Sequence, residues 1–320
     1  MNAWKSSLRE AKRGRQSGVA LAILVWFLAA MSILVASMVS QARMDIRLAQ
    51  LQIEQAEAEA AGDGAIQLAL AELLIREQAR EFNVRQMQIS EFTVGDARVT
   101  VRIIPVAGLI DLNSAQENLL IALFSTNSGS ALNNGQELAQ NVIKWRLPGA
   151  HADPMGPAPE SYARRFQAVE DLLSVNGINR GIYERVKDSI YVAAKGQAGV
   201  DWLSAPESVL TLLSGGDETL SRELGQSRLR DQQAAASDVG GTVPVGLDMQ
   251  FQKEGALPLF RVDALVKLHD GNYRRRRWVD RSKSGSDGLP WSFFRSEALA
   301  AINKEERNFL TFVGDTYAGG

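Results

Sequence analysis

The sequence predicts an α+β fold: one long N-terminal helix packed on a small antiparallel sheet, with a large helical insertion of helix-hairpin-helix or SAM-like type. Three observations carry this. An apolar run begins at Val19, meets no charge until Arg43, and leads into a helical pattern that lasts to about residue 79. Two stretches of apolar–polar alternation lie far apart, near residues 92–103 and 260–268. A helical block with an internal repeat lies between them.

The run from Val19 is long enough to cross a bilayer as one helix, which takes about 20 apolar residues. A secretory signal places its small residues after the apolar core. Here Gly18 stands before it, behind a leader with Lys5, Arg9, Lys12, Arg13 and Arg15 against Glu10. This layout matches a leader that is cut between Gly18 and Val19 on the cytoplasmic side, leaving the apolar helix in the mature chain. The leader nets +4, so its loss takes the formal charge from −2 to −6. A mildly acidic product gives no electrostatic case for nucleic acid. Basic residues ahead of the span favour a cytoplasmic N-terminus and an external bulk. Cysteine is absent, so disulfides and thiol chemistry are excluded.

Past the membrane, Ala42, Ile46, Ala49, Ile53, Ala56 and Ala60 are spaced 4-3-4-3-4, a narrow stripe on one helix face. Its small side chains allow a neighbouring helix or sheet to approach closely, and Ala49, Ile53, Ala56 and Ala60 form the predicted interface. Gly62 and Gly64 weaken the helix locally before the pattern resumes at Ile66, Leu70, Leu73 and Leu74. The whole helix would be on the order of 90 Å long.

Phe92 and Val94, then Val99, Val101 and Ile103, alternate with polar residues about a Gly95-Asp96 turn, which predicts a hairpin. A second hairpin is predicted from the alternation Phe260, Val262, Ala264, Val266, Leu268, a turn over His269 to Asn272, and the strand YRRRRWVD. In that strand Arg274 to Arg277 split two by two between the faces, and the expected role is a solvated edge that resists pairing.

In the central block, IDLNSAQENLLIAL (110–123) aligns with VDWLSAPESVLTLL (200–213) at an offset of 90, matching Asp111 with Asp201, Ser114 with Ser204, Ala115 with Ala205 and Glu117 with Glu207. Each copy reads Ser-x-x-Glu before an apolar run, so Ser114/Glu117 and Ser204/Glu207 are expected to be helix-capping boxes rather than catalytic groups, with Pro206 in the first turn. The intervening FQAVEDLLSVNGINRGIYERVKDSI reads as helix–turn–helix with Gly177 at the joint. Residues 231–256 are expected to be a return loop. An aromatic patch at Trp291, Phe293 and Phe294 precedes a polar tail.

Chemistry-bearing motifs are missing. His151 and His269 stand in different regions, and no zinc-protease, nucleophile-elbow, phosphate-loop or dinucleotide pattern occurs. The chain is therefore not expected to be an enzyme or to need a cofactor. Asp153, Glu160, Glu170 and Asp171 are weak candidates for Ca²⁺, since they follow no loop pattern.

Taken together, SGVALAILVWFLA, EAAGDGAIQLALAELL, GLIDLNSAQENLL, VIKWR, FQAVEDLLSVNGINRGIYERV and VDWLSAPESVL resemble protein K of the type II (general) secretion pathway, the large minor pseudopilin family. The resemblance covers nearly the whole chain and is weakest after about residue 300. It implies a prepilin leader over 1–18, a transmembrane helix over 19–42, a periplasmic helix and first hairpin over 43–108, an inserted helical domain over 109–230, and a return with the second hairpin and tail over 231–320. The implied setting is the inner membrane, single-pass, with the C-terminal domain periplasmic and residue 19 N-methylated after processing. Implied partners are the minor pseudopilins I and J, the major pseudopilin, the prepilin peptidase, the inner-membrane secretion platform and the exported proteins. Most mature pilin-like chains carry glutamate at position five, but counting from Val19 that position here is Ile23. In the resembled family this fits a subunit at the filament tip. Related chains follow the VIKWR-like tryptophan with several acids; WRLPGAHADPMG has Asp153 alone, which puts an inherited Ca²⁺ site in doubt. Two other classes stay open: a type IV pilus minor pilin, and a membrane-anchored helix-hairpin-helix DNA receptor of competence. The second lacks a full glycine hairpin, having only Gly177-Ile178 with Arg180 and Arg185 nearby.

Overall fold

A computed structural model describes residues 17–79, 85–127, 132–146, 165–193, 196–234, 246–253, 255, 257–269 and 271–302. In chain order the elements are α1 (Ser17–Gln78), β1 (Gln88–Val94), β2 (Ala97–Pro105), β3 (Ile110–Asp111), α2 (Glu117–Asn127), α3 (Leu132–Arg146), α4 (Arg180–Val186), β4 (Ile190–Tyr191), α5 (Glu207–Leu213), α6 (Glu218–Ala234), β5 (Leu259–Leu268), β6 (Gly271–Asp280), β7 (Ser292–Ser296) and β8 (Ala300–Ala301). The chain falls into two units, residues 1–57 and residues 58–320.

Within the first unit α1 is helical from Ser17, and no residue from Val19 to Glu57 is buried. The apolar segment is long enough, by length and composition, to cross a membrane. Two of its serines bond back to the helix: Ser32 donates to the Leu28 carbonyl and Ser37 to that of Leu34, both at 2.8 Å.

The second unit begins inside α1. Ala58, Ala61, Ala65, Ile66, Ala69, Leu70 and Leu73 are buried against Val99, Val101, Ile103, Val262, Ala264 and Val266 of the sheet. The small residues bring the helix backbone close. A Cβ on Gly62 would lie 2.9 Å from the Cβ of Arg275, so this glycine is a contact point and not a break. The sheet runs β1-β2-β5-β6-β7, antiparallel throughout, with β8 also pairing with β6.

Both predicted hairpins form. Val94 pairs with Ala97 across Gly95-Asp96, and Gly95 has a φ of 59°, which glycine adopts without penalty. The second turn is tighter than expected. Leu268 pairs with Gly271, so Gly271 and Asn272 belong to β6 and His269 takes the positive φ.

Everything between β2 and β5 is the insertion. Pro105 pairs with Phe260, so the chain leaves the sheet and returns to it at one point. The insertion has its own core, in which Leu119, Leu120, Phe124, Val142, Phe166, Leu172, Tyr183, Val186, Val209 and Leu210 meet. A short parallel pair, β3 with β4, forms within it. Gly177 joins two helical segments with a φ of 86°, and Asn179 caps α4 by accepting from the Ile182 amide at 2.9 Å. The helical part reaches past residue 230. Helix α6 runs to Ala234, and Leu247 and Phe251 close the same core. Residues 246–253 are thus packed, while 235–245 lie outside the described residues.

The second face of the sheet is covered as well. Ile104, Val106, Leu109, Tyr191 and Trp278 form a third apolar cluster between sheet and insertion. This explains why Arg261, Asp263 and Leu265 are buried although they point away from α1.

Candidate interaction surface

The predicted interface stripe lies on α1. Ala49, Ile53, Ala56 and Ala60 are all exposed. Within the second unit the sheet-facing residues of α1 start at Ala58. Leu48 and Leu51 are exposed beside the stripe, as is Ile23 further up the apolar segment. Gly18 lies within α1, and Val19 begins the exposed apolar stretch. The leader ahead of Ser17 lies outside the described residues.

The serine caps are not what the sequence predicts. Helices α2 and α5 begin at Glu117 and Glu207, three residues beyond Ser114 and Ser204. Their first bonds run from Leu120 N–H to the Gln116 carbonyl and from Leu210 N–H to that of Pro206. Pro206 is the N-cap residue of α5, with no side-chain cap, and Glu117 and Glu207 open the helices instead of closing a box. The competing interaction is a turn nucleated by the aspartates. The Asn113 amide donates to Asp111 Oδ1 and the Leu203 amide to Asp201 Oδ1, both at 3.2 Å. Ser114 N–H then reaches the Asp111 carbonyl at 3.2 Å, and Ser204 N–H that of Asp201 at 3.0 Å. An aspartate three residues ahead offers the backbone a local acceptor, and it wins over the helix.

The two turns are anchored differently. Arg85 Nε donates to Asp201 Oδ2 at 2.8 Å, and Ser204 Oγ donates to the Arg85 carbonyl. The first turn is held through its carbonyls: Arg146 donates to Leu112 O at 3.0 Å and Ala115 O at 2.6 Å. Its neighbour Trp145 stacks on Phe166 at 4.2 Å, which gives the VIKWR segment its role. Asp111 is fully buried. Burial pushes its carboxyl up, and bonds from Ser114 and the Asn113 amide oppose the shift only in part.

The arginine run is the largest departure from expectation. Strand β6 is interior, between β5 and β7, so Arg274 to Arg277 form no solvated edge. The two-by-two split does occur. Toward α1, Arg275 meets Asp63 in a fork of 2.8 and 3.1 Å and lies 2.9 Å from Glu59. Arg277 lies 3.6 Å over the ring of Phe293. Toward the insertion, Arg276 grips Asp263 at 2.6 and 3.3 Å and Asp188 at 2.6 Å. Arg261 and Arg102 approach the same Asp263 at 3.4 and 3.6 Å, and Arg261 Nη1 donates to the Asp188 carbonyl at 2.5 Å. Burial alone would raise the Asp263 carboxyl, but Arg276, Arg261 and Arg102 outweigh it and hold it well below its ordinary value. Asp188 is pulled down in the same way, chiefly by Arg276. Since Asp188 belongs to the insertion, these bonds fasten it to the sheet. The alternation of β6 made the split legible, whereas nothing local marked Asp188, Asp63 and Asp263 as partners.

Of the aromatic patch, Trp291 is buried and donates to Gln67 of α1 at 3.2 Å, while Phe294 is exposed. Of the Ca²⁺ candidates, Asp153 and Glu160 lie outside the described residues. Asp171 accepts from the amides of Gln167 and Ala168 at 2.7 and 3.0 Å, and Glu170 pairs with Arg295, so neither is arranged as a ligand. Among the described residues, no cluster of three or more such groups is placed to hold a metal.

No family model and no curated protein matches the chain. One solved structure with a similar chain is the complex of GspK, GspI and GspJ from the type 2 secretion system of enterotoxigenic Escherichia coli. The match covers 82% of this chain and 100% of that one, at 12% identity and a TM-score of 0.44.

Removing one partner of a buried ion pair leaves the other charge uncompensated, so Asp263→Asn is expected to cost about 3–5 kcal/mol of unfolding free energy. The pH dependence has a definite sign. The folded carboxyl sits below its ordinary 3.8, so the unfolded chain binds protons first as pH falls. The stabilisation from Asp263 is intact above about pH 4 and declines below it. Denaturant unfolding of the detergent-purified protein, followed by tryptophan fluorescence from pH 7 to 3, measures both effects. An Asp263→Asn midpoint equal to wild type at pH 7 would contradict the assignment.

Proposed function

We propose that this chain is a minor pseudopilin of a type II secretion system, acting as a structural tip subunit that initiates or caps the periplasmic pseudopilus. The observation that carries this reading is α1: an apolar span that runs directly into a helix whose alanine-rich stripe Ala49, Ile53, Ala56 and Ala60 is exposed. Such a stripe suits close packing against another helix. The proposed occupants are the minor pseudopilins I and J, by the resemblance of the sequence segments given above. Cutting after Gly18 would free Val19 as the mature N-terminus, subject to N-methylation.

The tip position is supported by two features. Ile23 removes the charge that pilin-like subunits present to a neighbour at position five. The insertion between β2 and β5 is as large as the sheet domain that carries it, and repeating it at every filament position would be sterically demanding. The arginines give the DNA-receptor alternative no support. The Arg274–Arg277 side chains are paired with carboxylates or laid on an aromatic ring, and Arg180 pairs with Glu184 at 2.6 Å.

Two outcomes test the proposal. Mass spectrometry of the membrane form should find Val19 at the N-terminus, and Gly18→Phe should leave the leader attached; an intact Met1 or a cut beyond residue 40 would sink it. Ala56→Asp should abolish co-purification of the two partner pseudopilins while leaving the fold intact, because a carboxylate in a close helix contact is desolvated without a partner. Unchanged pull-down would show that the stripe is not the interface.

A further inference from the structure

Strand β1 is an open edge of the sheet. It pairs with β2 on one side, and among the described residues no strand lies on the other. The Gly95-Asp96 turn has two residues, so Val94 and Ala97 close it as a hydrogen-bonded pair. Bonding alternates along an antiparallel strand, so Phe92, Ser90 and Gln88 also face β2. The N–H and C=O groups of Ile89, Glu91 and Thr93 therefore point away from the sheet. Such a row is a template for another strand, and proteins blunt it with proline, lysine or a bulge. Here QISEFTV has none of these and pairs with β2 in unbroken register. An apolar wall stands beside the edge. A Cβ on Gly64 would lie 3.9 Å from Val94 Cγ1, so this side of α1 lies over the end of β1. Leu68 and Ile75 share that side of the helix and are 51% and 68% exposed. Phe92 and Val94 are half-buried on the same face of the sheet.

The chain itself supplies a segment for this groove. Ala300 and Ala301 pair with Arg274 and Tyr273, and Ile302 N–H donates to the Asn272 carbonyl at 2.9 Å. The chain thus leaves β8 toward the end of the sheet that carries both hairpin turns. Asn272, Lys267, Arg98 and Thr93 form one row across the strands, so this exit is level with Thr93. Residues 303–320 lie outside the described residues. From β8 to a place beyond β1 is about five strand spacings, or about 24 Å, which about seven extended residues cover. Those residues, Asn303 to Phe309, include Lys304, Glu305, Glu306 and Arg307, which suit a solvated crossing over the turns. Next comes Leu310-Thr311-Phe312-Val313, rich in side chains that favour strands. A strand arriving from the turn end runs antiparallel to β1, like every other neighbour pair in this sheet. We propose that the segment from Leu310 to Val313 adds to the open edge of β1, with Leu310 and Phe312 on the α1 side beside Leu68. Period two places these two on one face. The inference does not depend on the secretion role, since it rests on the edge, the groove and the exit of the chain from β8.

Hydrogen–deuterium exchange of the full chain in detergent, resolved to single amides, is the test. The amides of Ile89, Glu91 and Thr93 should exchange about a hundredfold more slowly in the full chain than in a chain ending at Ile302. Phe312→Asp in the full-length chain should have the same effect, and it keeps the test open if the shortened chain fails to fold. The Ser90 and Phe92 amides bond to β2 and should stay slow in every variant, which reports an intact sheet. Fast exchange at Ile89, Glu91 and Thr93 in the full chain would overturn the proposal, as would protection that survives both changes. Protection that grows with protein concentration would assign the edge to a second copy of the chain and overturn it equally.

Discussion

Asp263 is the point on which the two halves of the second unit depend. It sits fully buried in the middle strand β5, and three guanidiniums, one from β5 itself and one from each neighbour, β2 and β6, converge on it. A lone buried carboxylate would be expelled or protonated, and a lone buried arginine would be equally costly. Together they are tolerated, and the surplus positive charge reaches outward to Asp188 of the insertion. A buried ion network contributes little net stability compared with an apolar replacement. Its contribution here is orientational: forks of two bonds fix how the insertion sits, where a greasy contact such as the Tyr191–Trp278 cluster would permit sliding.

The other face of the same sheet solves a different problem. There α1 lies against Val, Ile and Ala with its own small residues inward, and Arg275 is pinned to Asp63 and Glu59 on the helix. One sheet thus holds a helix by apolar contact on one side and a folded insertion by charge on the other. The insertion costs the sheet little, because it departs and returns beside the Pro105–Phe260 pair, leaving β2 and β5 in register. Its two Asp-x-x-Ser-Ala turns repeat in backbone geometry but differ in anchor, Arg85 for one and Arg146 for the other.

Much of this was legible in the sequence. Period-two alternation gave both hairpins, since the side-chain period of a strand is fixed. The α+β class and the long helix followed from composition and spacing. What escaped was decided by contacts distant in sequence. Ser-x-x-Glu looked like a capping box, but the preceding aspartates captured the backbone first. The β6 arginines read as an edge because nothing in the run itself signals that β7 will pair beside it. The packing of Leu247 and Phe251 escaped because a Gln-, Ala- and Ser-rich segment around them masks two apolar anchors. Gly62 seemed a flaw in α1 and is instead where the helix passes closest to Arg275.

The account's central functional claim is placement, once, at the end of a filament. Immunogold labelling of surface-extended pseudopili with antibody to the insertion addresses it directly. The account predicts gold at one end of each filament and nowhere along its length. Label distributed along the shaft would contradict it.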